Sequence, residues 1–357
     1  MSERLGRHVV AVEPIAAGLG ARHFHRLRFA SGSPPTLVAR CEPDAAAEPA
    51  CGVDGDRNPL PAAPAWLPEP PLEPLRSFLE AAGLPVPRSA GHFPELGLEL
   101  LEDVGSTNLL QAAAADRAAL YAEACSLVPR LQRLAASPDR IPAFARRYDA
   151  ALVATKGWKW LHWTIPGLLR RTATPVEVRD TTRLFTAIAE ELESAPRRLA
   201  HRDFKAENLH LRPPIGGGRP HLVMIDVQGA FLAPPEYDLV CLLYDLQADV
   251  AEADAERWLD QTRVLLPDAP PPETARRRFD ILALTRLCKD VAHVVHAGVA
   301  RGDRRRWHEI PRGLGLLERA AGRLESGFPG IETLISVIHT LTSSSTAADI
   351  AAEGTAR

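Results

Sequence analysis

Three short runs of alternating apolar residues open the chain: Val9 to Val12, Phe24 to Phe29 and Leu37 to Arg40. Gly18-Leu19-Gly20 and Ser31-Gly32-Ser33-Pro34-Pro35 separate them, and period-two runs bounded by turn formers predict the strands of an antiparallel meander. From 43 to 71 the chain is dense in Pro, Ala and acidic residues without a period, as a surface insertion would be. A helix is expected over Leu72 to Ala82, stopped by Gly83 with Pro85 just beyond, and then a strand over Leu96 to Asp103. After Gly105 the period changes. Leu120, Ala124, Leu127, Leu131 and Leu134 recur at spacings of three and four, and the pattern stays helical to about Ser194. Two apolar runs, Asn208 to Arg212 and His221 to Val227, flank a Pro/Gly stretch and predict a hairpin. Helices resume from Tyr237 to about Ile338.

This order predicts an α+β protein of two lobes. A small N-terminal lobe over 1–104 would hold an antiparallel sheet and the 43–71 insertion. A larger, mostly helical lobe would cover 105–341, and a flexible tail 342–357. At 357 residues there is chain enough for two cores.

Composition narrows the function. With 46% hydrophobic and 24% charged residues and a net charge of −3, the chain has no basic field for a nucleic-acid backbone. No apolar run approaches the roughly 18 residues of a membrane span, and no leader pattern opens the sequence. The five cysteines are scattered without a C-x-x-C pair, as expected of reduced thiols in a cytoplasmic protein. A small-molecule substrate is expected, and the oligomeric state is left open. Basic residues are nearly all arginine; the only lysines are Lys156, Lys159, Lys205 and Lys289.

The segment His201-Arg202-Asp203-Phe204-Lys205-Ala206-Glu207-Asn208 fits the phosphoryl-transfer loop pattern H-R-D-x-x-x-x-N. Asp203 can receive or orient the attacking hydroxyl, and five residues on the oxygen of Asn208 can bind Mg²⁺. Asp226, at the end of the Met224-Ile225 run, is the expected second ligand, since magnesium prefers oxygen donors and keeps several waters. Lys205 is placed to neutralise the transferring phosphoryl group. An isolated Asp-x4-Asn is a common turn; the helix before the loop, the hairpin after it and the Tyr237-Asp238 helix start supply the context.

In these motifs the sequence resembles the aminoglycoside phosphotransferase family, which shares the protein-kinase-like fold. The matching pieces are Leu101-Glu102-Asp103-Val104-Gly105, the His201 to Asn208 loop, Ile225-Asp226-Val227-Gln228-Gly229-Ala230 and Pro235-Glu236-Tyr237-Asp238-Leu239-Val240. Asp-Val-Gln-Gly-Ala, Ala81-Ala82-Gly83-Leu84-Pro85 and the aromatic stretch from Tyr148 to Leu169 are similar to the bacterial cell-wall amino-sugar kinases, which act on the anomeric hydroxyl of N-acetylmuramate and N-acetylglucosamine. The resemblance implies ATP and Mg²⁺ as cofactors, adenine at Glu102, Asp103 and Val104, and supporting roles for His201, Arg202, Gln228 and Asp238.

One departure stands out. The usual third-strand lysine is absent, because the first lobe has no lysine at all. Strand alternation puts Val38 and Arg40 on one face, so Val38 could cover the adenine and Arg40 could hold the phosphates; a solvated strand end is the plainer reading of Arg40. Gly18 and Gly20 are a fragment of a phosphate-covering loop, or simply a turn. His23 with His25, and His293 with His296, lack the spacing of a metal site. The alternative acceptors are an aminoglycoside or an amino alcohol; three tryptophans with Lys156, Lys159 and Arg170 between Tyr148 and Arg171 favour a sugar. A nucleotide-binding pseudokinase is the alternative without catalysis.

Overall fold

The computed structural model describes residues 6–15, 23–42, 69–213 and 218–343. Strands β1 (Val9–Ile15), β2 (His23–Phe29) and β3 (Thr36–Cys41) form the expected meander, and β5 (Leu98–Glu102) and β4 (Ser89–Phe93) complete an antiparallel sheet in the order β1-β2-β3-β5-β4. Leu27, Phe29, Leu37, Ala39, Leu98 and Leu100 form a small core on one face of this sheet. The period of two therefore turns Val38 and Arg40 to the other face, opposite Leu101 and Glu99 of β5. Helix α1 (Leu72–Ala81) ends before Gly83, whose φ of +74° suits the left-handed turn expected there.

Two details differ from the sequence reading. Pro94–Leu96 is a single 3₁₀ turn closed by left-handed Gly97, so β5 begins at Leu98 rather than Leu96. Strand β4 was not legible because Gly91 interrupts its alternation, and the register shifts between Ser89 and Gly91.

The helical body follows. Helix α2 (Ala114–Gln132) buries Leu120, Ala124, Leu127 and Leu131, the stripe read from the sequence, and Leu134 packs just beyond its end. The helical pattern does not run unbroken to Ser194: between Gln132 and Ala150 the chain, punctuated by Pro138 and Pro142, forms only a 3₁₀ turn. Helix α3 (Ala150–Lys159) continues through a π turn at Trp160–Thr164 into α4 (Ile165–Leu169). Gly167 lets α4 lie against the long helix introduced next, since a Cβ there would collide with Val295.

Helix α5 (Pro175–Glu193) precedes a small ladder of β6 (Arg198–Ala200) with β9 (Phe231–Ala233), which encloses the hairpin β7 (Leu209–Arg212) and β8 (His221–Met224). Helices α6 (Tyr237–Leu243), α7 (Glu252–Arg263), α8 (Pro272–Arg301), α9 (Ile310–Leu324) and α10 (Ile331–Thr342) complete the body. Helix α8 runs through its middle, burying Phe279, Ile281, Leu282, Leu284 and Leu287. Among the described residues no helix is long and apolar enough to cross a membrane. The 43–71 insertion falls outside the described residues as far as 68, and the tail does so from 344.

Candidate active site

The loop His201–Asn208 leaves β6 and is clamped from below by two buried carboxylates. Asp238, in the first turn of α6, accepts the amides of His201 at 2.7 Å and Arg202 at 3.1 Å. Asp245 accepts the amides of Ala206 and Gln247, each at 3.0 Å. These bonds hold Arg202 at a φ of +80°, a conformation that L residues rarely adopt. Burial pushes the Asp238 carboxyl up to about 6, although His201 and the two amides pull it the other way. His201 bonds the Ile225 carbonyl at 2.9 Å through Nε2, and Phe204 is fully buried beneath the loop.

Asp203 emerges from this clamp into a cationic surrounding. Arg286 of α8 donates to Asp203 Oδ1 at 3.1 Å, and Lys289 Nζ lies 4.0 Å from the same oxygen. Burial works to raise the Asp203 carboxyl, but Lys289, Arg286, Arg202 and Lys205 together hold it well below the usual carboxylate range. Lys205 pairs with Glu207; burial opposes its charge, while Glu207 and Asp203 override that and raise it. Asp290 bridges Arg286 at 2.7 Å and Lys289 at 2.9 Å, fixing both cations beside Asp203.

Asn208 and Asp226 are brought together by the backbone, since the Ile225 amide donates to the Asn208 carbonyl at 3.0 Å. Asn208 Nδ2 donates to the Asp203 carbonyl at 2.8 Å, which leaves the side-chain oxygen as the atom available to a cation. Asp226 has a left-handed φ of +62°, and Gln228 Nε2 donates to its Oδ1 at 2.5 Å. Gln228 also reaches Glu69 at 3.4 Å, and Glu69 accepts from Arg202 at 3.2 Å. One carboxylate and one amide oxygen form a hard donor set of the kind magnesium takes when phosphates and waters complete its shell. Among the described residues no group of three or more His, Cys, Asp or Glu could form a metal cage by itself.

On the sheet side, Arg26 Nε donates to Asp103 at 2.6 Å, and the Gly105 amide caps the same carboxylate at 3.1 Å. Glu102 accepts Arg212 at 2.8 Å, while Val104 is buried, so the link between sheet and helical body is held by its side chains. Arg40 is 2% exposed, with Nη1 shared between Glu99 at 2.9 Å and Glu42 at 2.7 Å. Its Nε and Nη2 are buried without a partner among the described residues. Gly18 and Gly20 lie outside the described residues.

On the helical side, α3 and α8 enclose a cavity lined by Lys156, Lys159, Arg202, Tyr237, Arg286 and Lys289. Lys156 Nζ sits 4.2 Å from the Tyr148 ring centroid and 3.5 Å from the Tyr237 hydroxyl. Lys159 Nζ meets His293 Nε2 at 2.8 Å, and Trp163 stacks on His296 with centroids 4.1 Å apart. Lys156 and Lys159 of α3 and Trp163 of the π turn thus lie against Arg286, Lys289, His293 and His296 along α8. Sequence reasoning missed Arg286, Lys289 and Asp290. Their signal was scarcity: of the four lysines of an arginine-rich chain, Lys205 and Lys289 act on Asp203, and Lys156, Lys159 and Lys289 line the cavity.

The phosphotransferase enzyme family (APH) profile matches residues 72–279. The N-acetylmuramate/N-acetylglucosamine kinase of Pseudomonas putida is 27% identical over 266 residues, 71% of this chain and 75% of that one. The enzyme of the same name from Caulobacter vibrioides is 31% identical over 210 residues, 54% of each chain. Choline kinase LicA from Streptococcus pneumoniae superposes with a TM-score of 0.56 at 14% identity, covering 91% of this chain and 97% of its own. The ADP-bound aminoglycoside phosphotransferase APH(2'')-Ib superposes with a TM-score of 0.51 at 14% identity, covering 88% and 94%. At such identities the two structural likenesses concern the two-lobed kinase-like fold.

Proposed function

Since the chain belongs to the phosphotransferase enzyme family, we propose that it transfers the γ-phosphoryl group of ATP to the anomeric hydroxyl of an amino sugar such as N-acetylmuramate or N-acetylglucosamine. The observation that carries this reading is Asp203, held ionised by Arg286 and Lys289, two residues that also line the cavity with Lys156, Lys159, Arg202 and Tyr237. The names of the Pseudomonas and Caulobacter relatives supply the acceptor class.

Asp203 accepts a hydrogen bond from the acceptor hydroxyl and orients one oxygen lone pair toward the phosphorus. A carboxylate held this far toward its charged form is a weak base. It suits a loose transition state, in which the hydroxyl proton leaves late and positioning matters more than proton abstraction. Asn208 and Asp226 would hold Mg²⁺, which neutralises charge on the phosphates. Lys205 faces the charge that develops on the transferred group. Arg40, with two buried donors unpartnered among the described residues, is the chain's candidate for the missing third-strand lysine. His201, Arg202, Gln228 and Asp238 support the loop and the Asp226 carboxylate; Glu102, Asp103, Val104 and Val38 would frame the adenine.

Kinases of aminoglycosides or amino alcohols share the fold, but their cationic acceptors would meet a lining of Lys156, Lys159, Lys289, Arg202 and Arg286 that, among the described residues, contains no carboxylate. The pseudokinase reading has only the missing lysine in its favour, since Asp203, Asn208 and Asp226 are all in place. The test supplies ATP and Mg²⁺ with a panel of sugars, aminoglycosides and amino alcohols, and locates the new phosphate by phosphorus NMR. The expected product is a sugar 1-phosphate. Phosphorylation of aminoglycosides or choline alone would overturn the reading.

A further inference from the structure

The cavity between α3 and α8 is lined by more basic side chains than its neighbouring carboxylates answer. Arg286 and Lys289 are matched by Asp203 and Asp290. Lys156 is not: the residue is 4% exposed, among the described residues no carboxylate lies within ion-pair distance of its ammonium group, and that group meets the Tyr237 hydroxyl and the faces of Tyr148 and Tyr237. Burying an ammonium without a counter-charge is unfavourable by several kcal/mol. Burial and the neighbouring Arg286 and Lys289 accordingly push the Lys156 amine well below its usual range. A neutral amine packed on two aromatic rings could serve structure alone. A methionine would fill that place at lower cost, and the chain uses lysine at only four positions, three of which line this cavity. The compact ammonium, unlike the forked guanidinium that serves the rest of the chain, can turn its three donors into a small cavity.

We propose that Lys156, backed by Lys159 and Lys289, is the specificity-determining residue for an acidic substituent on the acceptor, so that the enzyme prefers an acidic amino sugar over the neutral sugar of the same ring. This rests on the amino-sugar reading above and adds the charge of the acceptor to it. The anion enters with its reacting hydroxyl at Asp203 and its acid group toward α3. Lys156 takes up a proton as the acid arrives, and the ammonium then has the counter-charge that the empty cavity lacks. Asn208 and Asp226, which would hold the metal and phosphates, do not line this cavity, so the ammonium reads the acceptor.

The experiment measures kcat/KM at saturating ATP for N-acetylmuramate, which carries a carboxylate, and N-acetylglucosamine, which does not. It uses the wild-type enzyme, Lys156→Met and Lys156→Arg. The wild type is expected to favour the acidic sugar by about tenfold or more, the scale of one charge-assisted hydrogen bond. Lys156→Met should reduce that ratio by about tenfold or more through the KM of the acidic sugar, and Lys156→Arg should keep part of it. A purely structural loss would lower both sugars alike and leave the ratio unchanged, which would overturn the proposal; so would a change confined to the KM for ATP. If the wild type turns over neither sugar, the amino-sugar reading falls on its own. Calorimetry of both sugars on the same enzymes then decides the charge preference, and equal binding of the two would end it.

Discussion

Arg286 Nη2 donates to Asp203 Oδ1 at 3.1 Å while Arg286 Nη1 donates to the Arg202 carbonyl at 2.7 Å, so one guanidinium ties the loop carboxylate to the loop backbone. The acceptor hydroxyl would then meet an oxygen whose position is set by helix α8. Asp203→Asn should abolish turnover and leave ATP affinity within about threefold of the wild type, because the group addresses the acceptor. Retained turnover in that variant would remove Asp203 from the chemistry.

Removing the tie is a separate test. Arg286→Gln keeps a donor but loses the charge, and kcat should fall by about 10- to 100-fold, the range of one charge-assisted hydrogen bond. The KM for ATP should be little altered, and steady-state kinetics with both substrates varied separates the two effects.

Asp226→Ala should lose Mg²⁺-dependent nucleotide binding, since Asp226 and Asn208 are the metal donors in this reading and only one of them carries charge. Calorimetry with ATP, with and without Mg²⁺, reads this directly. Undiminished binding of the magnesium complex would point to a different aspartate.

The clamp under the loop predicts a pH limb. Asp238 has its carboxyl pushed up to about 6 by burial, so between about 6 and its ordinary value of 3.8 the folded protein takes up a proton that the unfolded chain does not. That uptake favours the folded state, so this group's contribution to stability rises as pH falls through the window. Activity moves the other way, because a protonated carboxyl accepts the His201 and Arg202 amides less well and the loop loosens. kcat/KM should decline below about pH 6, well above the range in which Asp203 titrates. In Asp238→Asn the limb should vanish and kcat should drop about tenfold, since the amide has one oxygen for two donors.

The sheet meander, the hairpin and the loop were legible because each is local: period-two runs between turns, and a motif with fixed spacing. What could not be read was the α3–α8 juxtaposition, which depends on a π turn and on the close approach at Gly167. Neither has a periodic signature. Arg286, Lys289 and Asp290 sit more than 80 residues from Asp203, inside a helix whose own pattern reports only burial. Lysine scarcity was visible, but scarcity does not tell which residues fold together. Arg40 was placed on the correct face by alternation, yet its carboxylate partners depend on strand β5 and on Glu42, and alternation carries no information about register.

Arg40 therefore needs a test that separates two roles. Its Nη1 compensates Glu99, which is buried and whose carboxyl burial already pushes upward while Arg40 pulls it down. Arg40→Ala alone would strand that carboxylate at a cost of about 3–5 kcal/mol, and a loss of activity could then reflect unfolding. The double variant Arg40→Met with Glu99→Leu removes both charges and keeps the volume, so stability should return to near that of the wild type. If Arg40 holds the ATP phosphates through Nε and Nη2, the double variant should still show a KM for ATP raised by about 10- to 100-fold, with the acceptor KM unchanged. Thermal unfolding with steady-state kinetics reads both quantities on one preparation. A double variant that is stable and keeps wild-type ATP kinetics would reduce Arg40 to a partner of Glu99, and the phosphate anchor would then have to come from another cation of the sheet, beginning with Arg28.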